Sequence, residues 1–250
     1  MDLSLAIAVV LAVAAAGAPL SARESLGKRL FFEKSLSTPP GQACSACHEP
    51  RVAFANPDTG LPVSRGARPG LYGNRNDQPV AYAAFIPPRR RDPEEGQWVG
   101  GLFWDGRADT LAEQAQGPPL NPLEMANPDV DTIAAKLRAL DYQRLFTEVY
   151  GENALDDPRQ AFDHMADAIA AYERTPEVSP FDSKYDRWLR GEAELSAQER
   201  RGLQVGERDA PVDLAVADAA DEDQVGVAEQ REVAAEEPAR GSREAPERPP

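Results

Sequence analysis

The sequence predicts an all-α, loop-rich protein, and three observations carry this prediction. Apolar residues recur at helical spacing in two stretches of the chain, 131–150 and 158–174. No stretch sustains the alternation of apolar and polar residues that is typical of a half-buried strand. Between residues 37 and 101 the chain is dense in Pro, Gly, Asn and Arg, which favour turns and loops over repeating structure.

The first 18 residues have the pattern of an export signal. Residues 3–16 form a 14-residue run of apolar and small side chains, which is too short to span a bilayer as a helix. Small residues then continue through 14–18, as a signal peptidase requires. A buried core helix is the alternative, but Pro19 and a polar stretch follow at once. We therefore expect 1–18 to be a signal peptide, and the mature protein to be periplasmic with no stable membrane span.

The first predicted helix covers 21–33. Ser21 followed by Glu24 is the pattern of a capping box, in which each side chain satisfies a backbone N–H group of the first turn. Three apolar residues then fall on one face of this helix: Leu26, Leu30 and Phe31.

Helical periodicity returns in the second half of the chain. The stretch 131–150 carries an apolar stripe, and the stretch 158–174 carries another, with Pro158 suited to a first helical turn. A further capping box, Ser196 with Glu199, predicts the start of a last helix. The two stripes consist of Ile133, Leu137, Leu140, Leu145, Phe146 and Val149, and of Phe162, Met165, Ile169 and Tyr172.

The net charge of −15 is divided unevenly along the chain. Residues 206–250 carry 13 Asp or Glu and five Arg, a net −8. This segment has no aromatic residue and no Lys, so it cannot bury enough apolar surface to offset its ordering entropy. We expect it to be a disordered acidic tail. The overall acidity excludes binding of nucleic acid through a basic surface.

The chain has only two Cys, and both lie in Cys44-Ser45-Ala46-Cys47-His48, the C-x-x-C-H signature of c-type haem attachment. In such a site the two thiols form thioethers with the haem vinyl groups, and the His binds the iron. A zinc half-site is the alternative, but zinc needs four ligands and only His164 remains. A thioredoxin-like redox pair would need a βαβ pattern, which is absent. Haem c is therefore the predicted cofactor.

The ligand on the other side of the iron decides between electron transfer and reaction with peroxide. The candidates are His164, Met125 and Met165. Met165 belongs to an apolar stripe and favours core packing, whereas His164 is predicted on the solvated face of its helix. By elimination we expect an open position at the iron.

Three long motifs resemble the bacterial dihaem cytochrome c peroxidase family, including its MauG-like branch. They are LGKRLFFEKSLSTPPGQACSACHEP, GLFWDGRADTLAEQAQGPPLNPLEM, and YERT followed by SPFDSKYDRWLRGEAELSAQERRGL. The resemblance covers residues 26–205 and implies a c-type cytochrome domain for 19–205, including the start of a second domain. Members of this family are periplasmic, with a peroxidatic haem, a second haem that receives electrons, and calcium between them.

The resemblance also implies roles for individual residues. Gln114 and Glu124 resemble the polar pair beside the peroxidatic haem, with Pro118 packed next to them. A carboxylate there can move a proton between the two peroxide oxygens, which makes Glu124 the expected acid–base group. Trp104 resembles the tryptophan between the two haems, and Asn76 resembles a residue that helps to bind calcium.

Two departures from the family pattern shape the functional expectation. No His lies between His48 and His164. The peroxidatic haem would therefore need no activation step in which a distal His on a loop is released. The second C-x-x-C-H motif is absent, because the chain runs from Val205 into the acidic tail. We expect one covalent haem, and a tail that is either native or out-of-frame translation.

Two functional hypotheses follow. The first is a cytochrome c peroxidase-like oxidoreductase that reduces hydrogen peroxide, or oxidises a protein substrate as the MauG-like branch does. Its electrons would come from a small donor protein such as a cytochrome c or a cupredoxin. The alternative is a monohaem electron-transfer or haem-binding module without peroxidase turnover.

Overall fold

The computed structural model describes residues 19–209, which fall into two units that meet at Glu194 and Leu195 in the chain. The expected signal peptide, and residues 210–250 of the expected tail, lie outside the described residues. The first unit contains the α-helices Ala22–Phe31 (α1), Cys44–Cys47 (α2), Leu111–Leu120 (α3), Val130–Arg138 (α4), Arg144–Tyr150 (α5), Pro158–Glu173 (α6) and Lys184–Leu189 (α7). The second unit contains Ala197–Asp209 (α8).

Within residues 19–209, extended structure consists of one short ribbon and three isolated β-bridges. The strands Arg90–Arg91 (β1) and Trp98–Val99 (β2) pair in antiparallel register. Single 3₁₀ turns cover Lys34–Leu36, Pro50–Val52 and Ala83–Phe85. The described residues therefore confirm the all-α, loop-rich fold class. Of the helices in 19–209, none combines the length and the apolar character that a membrane span requires.

The 16-residue α6 is the central helix of the first unit and packs against α1, α3 and α4. Its contact with α1 is close because Gly27 has no side chain: a Cβ there would lie 1.8 Å from the carbonyl oxygen of Ala168. Aromatic and aliphatic side chains fill the space between these helices. The most deeply buried of them are Leu26, Leu30, Phe31, Ile133, Leu137, Phe146, Phe162, Met165 and Tyr172.

The predicted helix caps are present. Ser21 and Glu24 form the reciprocal capping box that begins α1. Pro158 occupies the first turn of α6, and the Asp157 side chain accepts a hydrogen bond from the backbone N–H of Gln160. At the start of α8, the Ser196 N–H donates to Glu199, and the Glu199 N–H donates to the Ser196 hydroxyl.

Several predicted boundaries were wrong. The stretch 131–150 is two helices, because the chain turns between α4 and α5 to bury Leu140 and Tyr142. The sequence reading missed α2, α3 and α7, since each is short or contains prolines. The last helix continues to Asp209, so 206–209 are helical rather than part of a disordered tail.

Candidate functional site

One cavity of about 680 Å³ brings together residues that are far apart in the sequence. Its walls come from the loop after α2, from 74–86, from the turn before α3, from α3 itself and from the end of α6. Apart from the two cysteines and the candidate sixth ligands, every predicted site residue lines it: His48, Asn76, Trp104, Gln114, Pro118 and Glu124.

The C-x-x-C-H motif forms the four-residue helix α2 and its C-cap. The His48 N–H donates to the Cys44 carbonyl over 2.9 Å, which closes one turn and brings the three reactive side chains to successive positions around it. Both cysteines are free thiols. Burial raises the pKa of both thiols, that of Cys44 to about 12, with the negative charge of Glu173 adding to the effect.

The ring of His48 is held by the backbone. Its Nδ1 atom lies 3.3 Å from the Phe54 carbonyl oxygen, so a proton on Nδ1 leaves Nε2 free to bind a metal. That carbonyl is positioned by two successive left-handed residues, Ala53 at φ 58° and Phe54 at φ 57°. Burial lowers the pKa of His48, which favours the neutral imidazole that coordination requires.

These residues fit a covalently bound haem. The cavity volume lies within the range of about 300–1,000 Å³ that is usual for cofactor sites. His48 lines the cavity with one ring nitrogen free, and the free thiols of Cys44 and Cys47 lie in the helical turn that ends at His48, as c-type attachment requires. One carboxyl oxygen of Glu173, which also lines the cavity, is buried without a hydrogen-bond partner.

Helix α3 and the turn after it carry the polar groups of the cavity. Gln114 and Pro118 are four residues apart, so they lie on the same face of the helix. Asn121 caps the end of α3, and its side-chain N–H donates to Glu124 over 2.7 Å. The Asn121 side-chain oxygen also accepts from the Leu123 N–H, over 3.0 Å. This Asn therefore fixes both the turn and the carboxyl group that the turn presents.

Glu124 is half-buried, and its electrostatic surroundings disfavour its charge. Burial raises the pKa of Glu124, and the nearby carboxylate of Asp77 raises it further. The hydrogen bond from Asn121 and the positive charge of Arg107 act in the opposite direction. A carboxyl group whose pKa is raised toward neutrality is suited to both accepting and releasing a proton.

Trp104 lies on a tight turn at the cavity rim, and its side chain is 60% exposed. The turn is possible because Gly106 adopts φ 65° and a Cβ there would approach the Gly100 carbonyl oxygen to 2.9 Å. The indole N–H donates to the backbone carbonyl of Asn76 over 2.7 Å. The indole ring is thus oriented by the segment that also lines the cavity.

The Asn76 side chain donates to the Pro62 carbonyl over 3.0 Å and is exposed. In residues 19–209, no group of three or more His, Cys, Asp or Glu side chains is arranged to hold a metal ion. A calcium ion at Asn76 would therefore need amide oxygens, backbone oxygens or water among its ligands.

The three candidate sixth ligands lie elsewhere. Met125 and Met165 are buried in the hydrophobic core. His164 is half-buried rather than solvated: its ring stacks on Tyr150 at 4.1 Å, and its Nδ1 atom lies 3.0 Å from the Ala154 carbonyl oxygen. Within the described part of the chain, the cavity is lined by no Met and by no His other than His48.

Sequence reasoning missed three residues of this site. Asn121 could have been found from the Asn-Pro-Leu-Glu pattern, which is typical of a side-chain-capped turn. Asp77 directly follows Asn76, but nothing in the sequence places it near His48 and Glu124. Glu173 ends a helix and looks like a solvated charge, although it is only 4% exposed.

Comparison with known proteins places the chain in a family. The di-haem cytochrome c peroxidase family matches residues 21–194. The methylamine utilization protein MauG of Paracoccus denitrificans is 46% identical over 185 residues, covering 72% of this chain and 48% of that protein. The cytochrome c peroxidase Ccp of Escherichia coli is 36% identical over 183 residues, covering 72% of this chain and 34% of that protein.

A solved structure agrees with these matches. The diheme peroxidase BthA of Burkholderia thailandensis superposes with a TM-score of 0.68 at 36% identity, covering 78% of this chain and 48% of that chain. The chain spans about half the length, or less, of the relatives named here. The resemblance carried by the three sequence motifs is confirmed: this chain belongs to the di-haem cytochrome c peroxidase family.

Proposed function

We propose that this chain binds one haem c and acts as a peroxide-reactive oxidoreductase. The observation that carries the proposal is the single cavity lined by His48, Gln114 and Glu124. Cys44 and Cys47 would form the two thioether bonds, and His48 would bind the iron through Nε2. The names of the relatives, MauG and cytochrome c peroxidase, support the same class of chemistry.

When bound, haem c supplies the redox-active iron at which hydrogen peroxide is reduced. The overall reaction consumes two electrons and two protons and releases two molecules of water. Glu124 accepts a proton from one peroxide oxygen and returns it to the other, which then leaves as water. Gln114 orients the peroxide by hydrogen bonding, and Asn121 holds the Glu124 carboxyl in place.

The cavity lining favours this function over a monohaem electron-transfer module. An electron carrier fills the sixth position of its iron with Met or a second His. In the described residues both Met candidates are core residues, and His164 is stacked on Tyr150. A haem held by His48 would therefore receive no Met or second His from this lining, and an oxidant could bind in the cavity beside Gln114 and Glu124.

Electrons would reach the cavity through Trp104 from a small donor protein such as a cytochrome c or a cupredoxin. The exposed indole at the rim, held by the Asn76 carbonyl, supports this role. Oxidation of a protein substrate, as in the MauG-like branch, would use the same route in the same direction, because the substrate then supplies the electrons. The signal pattern in residues 1–18 supports a periplasmic location.

Calcium binding at Asn76 is a further part of the proposal, since the family resemblance implies an ion at this position. The exposed Asn76 amide supports it: its nitrogen donates to the Pro62 carbonyl, which leaves its oxygen available to a cation. Removal of calcium by a chelator would then slow reduction of the haem by an external donor and leave the covalent haem content unchanged.

The test uses the full chain produced together with a c-type haem maturation system. We expect one covalent haem by mass, and a fast change of the haem spectrum on rapid mixing with hydrogen peroxide. Glu124→Gln should keep the haem and react about 10²- to 10⁴-fold more slowly. The matched control is Glu148→Gln, an exposed position on α5. Equal rates in all three proteins would remove Glu124 from the reaction.

A further inference from the structure

Glu173 is a buried acid whose role the proposed peroxide chemistry does not explain. It is the last residue of α6, it is 4% exposed, and it lines the same cavity as His48 and Glu124. Its Oε2 atom is buried without a hydrogen-bond partner. An unpartnered carboxyl oxygen in such a place costs folding free energy, so its retention calls for a function.

The charged groups around Glu173 leave its carboxyl unpaired. Arg174 is adjacent, but its guanidinium donates to the Ala170 carbonyl over 2.9 Å. The negative charge of Glu173 raises the pKa of Tyr172 and of Cys44, and neither of these side chains can neutralise that charge. Burial raises the pKa of Glu173 to about 8, which only Arg174 opposes.

Cations on the helices packed against α6 are engaged elsewhere. On α1, Arg23 pairs with Asp167, and Lys28 pairs with Glu177. On α4, Lys136 donates to the backbone of Ser37 and to the side chains of Thr38 and Asn127. The remaining ionisable groups of the cavity lining lie on its other walls: His48, Arg75, Asp77, Tyr82, Asp105, Arg107 and Glu124.

We infer that Glu173 is a redox-linked proton acceptor: its carboxylate takes up one proton from solvent when the haem iron gains one electron, and releases it when the iron loses that electron. The inference rests on the proposed haem binding. Each reduction adds one electron to the iron and one proton to Glu173, so the net charge of the site does not change. At a carboxyl group as buried as that of Glu173 this compensation is favourable, because an unpaired charge there costs free energy.

The consequence is a reduction potential that falls as the pH rises. Protonated Glu173 stabilises the reduced iron, whereas the carboxylate stabilises the oxidised iron. Across the pH range in which Glu173 titrates, the reduction equilibrium should shift by up to tenfold per pH unit, which is about 59 mV for one electron.

The test is a spectroelectrochemical titration of the haem-loaded full chain at a series of pH values from about 6 to about 10. We expect a sloping potential in the wild-type protein and a clearly shallower slope in Glu173→Gln. The exposed control Glu148→Gln should keep the slope. Glu124→Gln should keep it as well, which separates the two acids of the cavity. The haem propionates titrate in every variant and therefore cancel in the comparison.

A slope of the same size in Glu173→Gln, or no slope in the wild type, would overturn the inference. If Glu173→Gln does not fold, the infrared difference spectrum of the wild-type and Glu124→Gln proteins on reduction decides. A new band of a protonated carboxyl group, sensitive to deuterium exchange, supports Glu173, and absence of the band overturns it. Failure of the proposed haem binding is a separate result, because it is seen as missing covalent haem in the wild type.

Discussion

Two regions of the first unit differ in how they treat polar groups and backbone strain: the packing between α1, α4 and α6, here the helical side, and the lining of the cavity, here the cavity side. Between α1, α4 and α6, buried side chains such as Phe31 and Phe162 are apolar, and polar groups such as the Tyr150 hydroxyl have partners. Around the cavity, Tyr82 and Phe103 adopt left-handed backbone conformations, and a Glu173 oxygen has no partner. The helical side contributes stability, whereas the strained and unpaired groups of the cavity side cost free energy at the place of the proposed chemistry.

The difference between the two sides accounts for the positions of the acidic and aromatic groups of the cavity. A carboxyl group has a raised pKa where burial or a like charge disfavours its ionised form, and both act on Glu124 beside Asp77. Such a position costs free energy, which the packed helices offset. We therefore expect substitutions on the helical side to change mainly stability, and substitutions on the cavity side to change mainly reactivity.

The largest expected effect is on the helical side. Phe31 is fully buried and makes edge-to-face contacts with Phe54 and Tyr172. Phe31→Ala should lower the free energy of unfolding by about 3–5 kcal/mol, measured by denaturant titration of the haem-loaded protein. The matched control, Phe85→Ala, removes a ring that is 64% exposed and should cost no more than about 1 kcal/mol. Equal losses of unfolding free energy in these two variants would contradict the distinction between the two sides.

The next largest effect is expected on the cavity side, in the rate of reaction with hydrogen peroxide. Asn121→Ala removes the donor to Glu124, so the reaction with hydrogen peroxide should slow about tenfold, equivalent to about 1.4 kcal/mol. That hydrogen bond lowers the pKa of Glu124, so its loss should raise this pKa further. A base works only when deprotonated, so the rate falls as the pH drops through the pKa, and this fall should move to higher pH in the variant. An unshifted pH profile of the rapid-mixing rate would contradict the assigned contact.

A polar contact on the helical side should change stability and leave the rate alone. The Tyr150 hydroxyl donates to Asp167 over 2.6 Å. Tyr150→Phe should lower the free energy of unfolding by about 1 kcal/mol, with an unchanged peroxide rate. A slower reaction with peroxide in this variant would show that the helical side contributes to the chemistry.

The smallest effect on stability is expected at the cavity rim. Because the Trp104 ring is largely exposed, Trp104→Phe should change the free energy of unfolding by about 0.5 kcal/mol or less. Turnover with an external electron donor should nevertheless slow, while the single reaction with peroxide stays at its wild-type rate. Unchanged donor turnover would mean that electrons enter by another route.

The parts of the fold that the sequence predicted are those governed by local rules. The capping boxes at Ser21 and Ser196 depend on residues three apart, and the stripe of α6 depends on helical spacing alone. The break between α4 and α5 was not predictable, because the periodicity continues across it. Only the tertiary core explains why Leu140 and Tyr142 turn inward there.

The candidate site divides in the same way. The sequence by itself determined the haem-attachment motif and, through its resemblance to a family, the roles expected of Trp104, Gln114 and Glu124. These are matters of residue type and spacing along the chain. Only the tertiary structure decided that these side chains share one cavity with Asp77 and Glu173. The reason is physical: burial and the distance between charges set the pKa of an acid, and both depend on contacts between residues that the sequence holds far apart.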